Sequence, residues 1–139
     1  MKRCLIALAV VCLTQATAIS FAQIRGNRVA VIYFWKVKPG KLREYNRYIR
    51  DVAAPIDEEA RRRGAFISVT TYVSQKDNGE WTHMRVFLLR DRAQSERLAK
   101  ALESANIRLE PVEAKRRAQA VYASTLRDLV AQETVDIMK

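Results

Sequence analysis

The first ordered pattern in the chain is a continuous apolar run, RVAVIYFWKV from Arg28 to Val37, rich in β-branched and aromatic residues and free of breakers. Such a run predicts a strand buried on both faces. Lys38, Pro39 and Gly40 stop it, and from Lys41 the apolar spacing changes to threes and fours through Leu42, Tyr45, Ile49, Val52 and Ile56. That spacing predicts an amphipathic helix to about Arg63, kinked or divided at Pro55, where the missing N–H and the ring clash with the preceding turn, and ended by Gly64. Two more strands follow, Ala65 to Ser74 and Trp81 to Leu89, around QKDNGE. The Asn78-Gly79 pair favours a two-residue type I′ turn. This turn would set Ser74 against His83, Tyr72 against Arg85 and Thr70 against Phe87 on one face of the hairpin. Val73, Thr71 and Val69 would share the other face with Met84, Val86 and Leu88, and that smaller apolar face is the one expected under the helices.

After Asp91, a suitable N-cap, Leu98, Ala101, Leu102 and Ala105 mark another helix, and Pro111 restarts helical spacing through Ala114 and Ala118. A last strand is expected beyond it, in AVYASTLRDLV or in the later AQETVDI. The order β-α-β-β-α-β predicts an α+β, ferredoxin-like domain with its helices on one side of an antiparallel sheet.

The first 22 residues do not fit that domain. Lys2 and Arg3 precede an apolar run from Cys4 to Leu13, followed by Ala16-Thr17-Ala18 and Ser20-Phe21-Ala22. This is the layout of a secretory signal peptide, with cleavage expected after Ala22 and a mature domain over 23–139, periplasmic or secreted. An uncleaved membrane anchor is the alternative, disfavoured by Thr14, Gln15, Thr17 and Ser20; a lipid anchor on Cys12 fits less well, because Val11 is not small. Both cysteines lie in this segment, so a cleaved chain could form neither a disulfide nor a thiolate site.

Charge changes the picture less than its size suggests. The chain carries a net +10, which cleavage would lower by two. Outside the cytoplasm such a balance points away from nucleic acid and towards anionic envelope surfaces or an acidic small ligand. In DEEARRR, however, Asp57, Glu58 and Glu59 each stand four residues before Arg61, Arg62 and Arg63, the order that favours pairing along a helix surface.

VIYFWKVKPGKLREYNRYI followed by a hairpin containing GEWTHMRVFLL resembles the dimeric α/β-barrel superfamily, which includes antibiotic-biosynthesis monooxygenase-like, NIPSNAP-like and stress-responsive barrel proteins. The resemblance covers about Val29 to Asp91. It implies two protomers packing the open faces of their sheets together, with a ligand cleft between each sheet and its helices or in the barrel interior. Cofactor-independent oxygenases and haem-degrading members of the superfamily use an Asn, Trp and His set in the cleft. This chain departs from that set: Trp81 and His83 lie two apart on one strand, and the nearest asparagine to the first strand is Asn27, just before it.

One histidine with no cysteine outside the leader leaves a metal site without ligands, and no Gly-x-Ser-x-Gly elbow or phosphate-cradling glycine loop occurs. No cofactor is expected. The candidate chemistry is a mixed strand face: His83 as acid or base near neutral pH, with Tyr33, Trp35, Tyr72, Trp81 and Arg85 as ligand contacts. This face is expected opposite the helices. The expected function is an exported homodimer binding, and where the chemistry allows transforming, a small aromatic or anionic metabolite. The alternative is a non-catalytic basic protein whose Arg43, Arg47, Arg50, Arg116 and Arg117 bind an anionic envelope surface or a protein partner.

Overall fold

The computed structural model describes residues 27–76 and 79–138; the signal segment expected over residues 1–22 lies outside them. Strand β1 (Val29–Val37) leads into α1 (Leu42–Tyr48), a π-helical turn (Ile49–Ala53) and α2 (Ala54–Arg62). Strands β2 (Ser68–Val73) and β3 (His83–Leu89), helices α3 (Arg92–Leu109) and α4 (Glu113–Leu126), and strand β4 (Arg127–Asp136) complete the chain. The sheet has the order β2-β3-β1-β4, antiparallel throughout. This is the ferredoxin-like arrangement, with α4 as an additional helix before the last strand. Neither proposed location of that strand was complete: AVYASTL closes α4, and β4 begins at the arginine that follows it.

The helix predicted from Lys41 to Arg63 forms, and it is divided just before Pro55. A proline cannot donate to the carbonyl four residues back and clashes with it, so the turn ahead of it widens. The wide turn also explains which residues face the sheet. Tyr48 and Ala53 lie five apart and both look inward, a step that the π turn supplies. Gly64, at φ 78°, ends α2 in the left-handed conformation that a β-carbon would resist. At α3, the Asp91 side chain accepts from the Gln94 N–H at 2.7 Å, as a capping residue should.

The hairpin register differs from the sequence expectation by one residue. Val73, not Ser74, faces His83, and Tyr72 faces Met84 instead of Arg85. A type I′ turn needs positive φ at both central residues, yet among the described residues only Gly40 and Gly64 have it. Gly79 instead accepts a hydrogen bond from Lys36 Nζ at its carbonyl, and the last ladder bond runs from Ser74 N to Thr82 O. A slip of one residue exchanges the faces of β2 relative to β3.

The covered face of β3 is reversed as well, while that of β2 is the expected one, with Val69 packed against the main core. His83, Arg85, Phe87 and Leu89 lie beneath the helices, with Val31, Tyr33 and Trp35 opposite them on β1. Bulk decides this: Phe87 and Leu89 are buried with Val31, Phe66, Leu98 and Ala105 in the main core, and each large side chain so buried contributes about 1.5–3 kcal/mol. The residues expected beneath the helices, Met84, Val86 and Leu88, occupy the open face. A second, smaller cluster of Val37, Tyr45 and Leu126 closes the other end of the helix layer.

His83 is fully buried. Its Nδ1 lies 3.1 Å from Thr82 Oγ1, its Nε2 2.9 Å from Asn46 Oδ1, and Tyr45 packs edge-on at 4.8 Å. Thr82 Oγ1 donates to Trp35 O and accepts from Val37 N–H, so the ring braces β1, β3 and α1 together. Burial lowers the proton affinity of His83 below that of a free imidazole. The unfolded chain therefore takes up this proton first as pH falls, and His83-linked stability, present above about pH 6.5, is lost below it. Asp57, whose carboxyl burial raises, contributes a slope of opposite sign at lower pH, so the comparison to make is with H83Q, which retains Asp57. Urea unfolding between pH 5 and 8 should show a flatter stability profile for H83Q than for wild type; parallel profiles would show that burial leaves the imidazole unperturbed.

Candidate functional site

Between the two core clusters the helices stand off the sheet and leave a cleft of about 380 Å³. Tyr33, Trp35, Arg85 and Phe87 form its floor, and Arg127 closes one side. Tyr48, Ala53 and Ile56 roof it from the first helical segment, and Leu102 and Asn106 from α3. The floor is an aromatic surface: Tyr33 stacks beside Trp35 with centroids 6.2 Å apart and planes 14° apart, and meets Phe87 edge-on at 5.8 Å. Such faces suit a planar ligand, because offset stacking and dispersion act over the whole ring.

Three charged groups frame this surface. Arg85 and Asp57 form an ion pair from β3 to α2, with side chains 13% and 8% exposed. The acid expected to pair with Arg61 on the surface is thus turned inward; Arg61 pairs with Glu58, while Glu59 holds Arg62, Arg63 and Arg108. Burial pushes the Asp57 carboxyl above its ordinary value, and the Arg85 guanidinium pulls it part of the way back. Arg127 lies with its guanidinium 3.2 Å over the Trp35 ring. Desolvation lowers its proton affinity, but an arginine starts so basic that it stays charged. Burial also raises the Tyr33 hydroxyl, against the pull of Arg85, which keeps it a neutral donor.

The six candidate residues therefore separate. Tyr33, Trp35 and Arg85 meet in the cleft. His83 shares their face but sits behind the floor, sealed by Tyr45 and Asn46. Tyr72 is on the open face, 48% exposed, and Trp81 packs edge-on against Phe34 at 5.9 Å, away from the cleft. Asp57 and Arg127 are the residues missed. Asp57 was hidden in an acid-arginine run, although Ile56 and Ala60 beside it carry the inward stripe; Arg127 stood at a helix-strand boundary that the sequence leaves open. An Asn, Trp and His set does come together, but as Asn46, Trp35 and His83, with the asparagine supplied by α1 and the imidazole outside the cleft. Among the described residues no three His, Cys, Asp or Glu side chains gather as a metal ion would need.

No protein-family model matches the chain, and no curated protein matches it in sequence. Solved structures do match in fold. HapK from Hahella chejuensis superposes with a TM-score of 0.56 at 11% identity, over 79% of this chain and 92% of that one. SnoaB, a cofactor-independent oxygenase from Streptomyces nogalater, gives 0.51 at 12% identity, over 82% and 96%. A dimeric protein of unknown function with a ferredoxin-like fold from Bacteroides fragilis gives 0.50 at 7%, over 79% and 96%. The likeness is one of fold, and the fold is ferredoxin-like.

Removing one member of a buried ion pair leaves the other charge unpaired, at a cost of about 3–5 kcal/mol, whereas replacing both with apolar residues of similar volume is close to neutral. Chemical denaturation should accordingly show D57A strongly destabilised and the double variant D57L/R85M near wild type. Equal losses in the two proteins would mean that the pair does not tie α2 to the sheet.

Proposed function

We propose that the chain is an exported homodimer that binds a small aromatic or anionic metabolite in the cleft between its sheet and helices. The observation that carries this reading is the cleft itself: an aromatic floor enclosed by helices and bordered by guanidinium groups, with space for a ring system of one or two fused rings. Tyr33 and Phe87 are its aromatic contact surface, Trp35 the ring on which Arg127 is held, and Arg85 its fixed charge. Asp57 would serve as proton acceptor if the ligand is transformed, because a carboxylate in a poorly solvated site gains basicity. His83 acts in this reading as a positioning residue, holding Trp35 and α1 through Thr82 and Asn46. Export rests on the residue pattern before Gln23.

A second copy of the chain is the proposed cover for the open sheet face. Ile32 and Phe34 of β1 and Met84, Val86 and Leu88 of β3 line its centre, only partly buried, and Tyr72 and Val135 extend it at the edges. An apolar face of this extent is expected to be covered. The envelope-binding alternative has less support: Arg50 pairs with Asp51, Arg117 with Glu113, and Arg116 caps the carbonyls of Glu110 and Pro111. Of its five arginines, Arg43 and Arg47 are left for such a surface.

Two measurements test the reading. Calorimetric titration with a panel of bicyclic aromatics, neutral and anionic, should find ligands for wild type that A53F and A99F bind at least about tenfold more weakly, a loss of about 1.4 kcal/mol. These substitutions fill the cleft from two different helices, so a fault in one does not decide the matter, and undiminished binding in both would place the site elsewhere. Light scattering should give the mass of a dimer for wild type and of a single chain for V86E; a monomeric wild type would overturn the homodimer.

A further inference from the structure

Two arginines and two acids line the cleft, Arg85 and Arg127 with Asp57 and Glu103, but only one pair of them is joined. Asp57 is committed to Arg85. Arg127, in contrast, makes no salt bridge among the described residues. Its Nε, like that of Arg85, has no hydrogen-bond partner among the described residues. Asp128, the next residue, is on the opposite side of β4 and turns to Lys38 at 3.7 Å. Glu103 lines the cleft from an exposed position on α3 and forms no salt bridge with Arg127.

The backbone is arranged to bring Arg127 inward. Between Phe34 and Trp35 the pairing of β1 with β4 shifts by one residue, so that Trp35 faces Leu129 and Val37 faces Arg127. With an unbroken ladder, Asp128 would face Val37 and the arginine would lie beyond it. The bulge thus exchanges an acid for a base on the covered face, and bulges re-aim side chains in this way. Stacked on Trp35, with Tyr48 beside it as a hydrogen-bonding side chain, the guanidinium still has an Nε without a partner, and its planar fork suits bonds to a carboxylate. A second cavity, of about 450 Å³ and lined by Ala120, Ala123 and Ser124 of α4, shares Trp35, Tyr48 and Arg127 with the cleft. Arg127 stands where the two spaces meet and is open to a ligand from either.

We propose that Arg127, held on Trp35, determines specificity in the cleft by pairing with the carboxylate of an aromatic acid whose ring lies against Tyr33 and Phe87. This inference rests on the cleft being a binding site and narrows its ligand to a planar monoanion. Neutral aromatics gain the stacking but leave the guanidinium without a counter-ion; dianions exceed the charge that Arg127 alone can balance.

The test compares 2-naphthoate with 2-naphthamide, the same ring system with and without the charge, by calorimetry at low ionic strength. Wild type should bind the naphthoate at least about tenfold more tightly, the margin expected of a hydrogen-bonded charge pair. R127Q should reduce naphthoate to the affinity of naphthamide without changing the latter, and R127K should restore part of the preference. The wild-type comparison needs no variant, so a folding defect in R127Q cannot obscure it. Equal affinity of wild type for both probes, lost in A53F, would keep the cleft and refute the role of Arg127. A preference that survives R127Q but disappears in R85Q would assign the anion to Arg85 and also refute it. Binding of neither probe would remove this inference together with the aromatic-acid form of the cleft reading.

Discussion

Arg85 and Asp57 form the contact on which the helix-sheet arrangement turns. A guanidinium on the covered face of a sheet cannot be left without a counter-charge, so α2 must dock with Asp57 directed down at β3. This requirement fixes the rotation of α2, and with it the inward row of Ala53, Ile56 and Ala60. It also sets a spacing. Two polar side chains meeting end to end form a strut there, while Ala60 of the same helix packs with Leu98, Ala105 and Phe87 in the main core. The cleft is the volume left between that strut and the second cluster around Tyr45 and Leu126. A cavity made by polar struts keeps its shape without being filled, whereas one lined only by apolar residues would tend to collapse.

The elements were legible in the sequence because each rests on a local cause. The unbroken run of β1, the three-and-four spacing of the first helix, Pro55, Gly64 and Asp91 all act over a few residues, and all act as expected. The pairing of β2 with β3 does not have a local cause of that kind. Asn78-Gly79 is a strong turn signal, but it competes with the Lys36 contact to the Gly79 carbonyl and with the demand that Phe87 and Leu89 be covered. The burial of two large side chains, about 1.5–3 kcal/mol each, outweighs the local preference for a favoured turn. A one-residue slip then parted Tyr72, which keeps the open face, from Arg85, which lies under the helices.

The candidate site was partly legible for a reason that survives the slip. Alternate residues of one strand share a face whatever its partner does, so Tyr33 with Trp35, and His83 with Arg85 and Phe87, were bound to stay together. What alternation cannot tell is which face receives the helices, or how deep a residue sits along it. His83, at the end of β3 beneath α1, lost its access to depth alone. Arg127 was invisible for a third reason: its direction depends on a bulge, and a bulge is a property of two strands in register, not of either sequence segment.

Strand β1 links the site to the sheet's other side. Its odd positions place Tyr33 and Trp35 on the cleft floor, while Ile32 and Phe34, at the alternate positions, point to the open face. Every displacement of the floor must therefore move the open face as well, because the two sets of side chains hang from one backbone. On the homodimer reading, packing a second sheet against Ile32, Phe34 and Val86 removes apolar surface from water and at the same time restrains the residues on which a ligand would stack. Association would then raise ligand affinity without any partner residue entering the cleft, by lowering the ordering cost of binding. Linkage makes the effect reciprocal: whatever free energy the dimer adds to ligand binding, the ligand must add to the dimer.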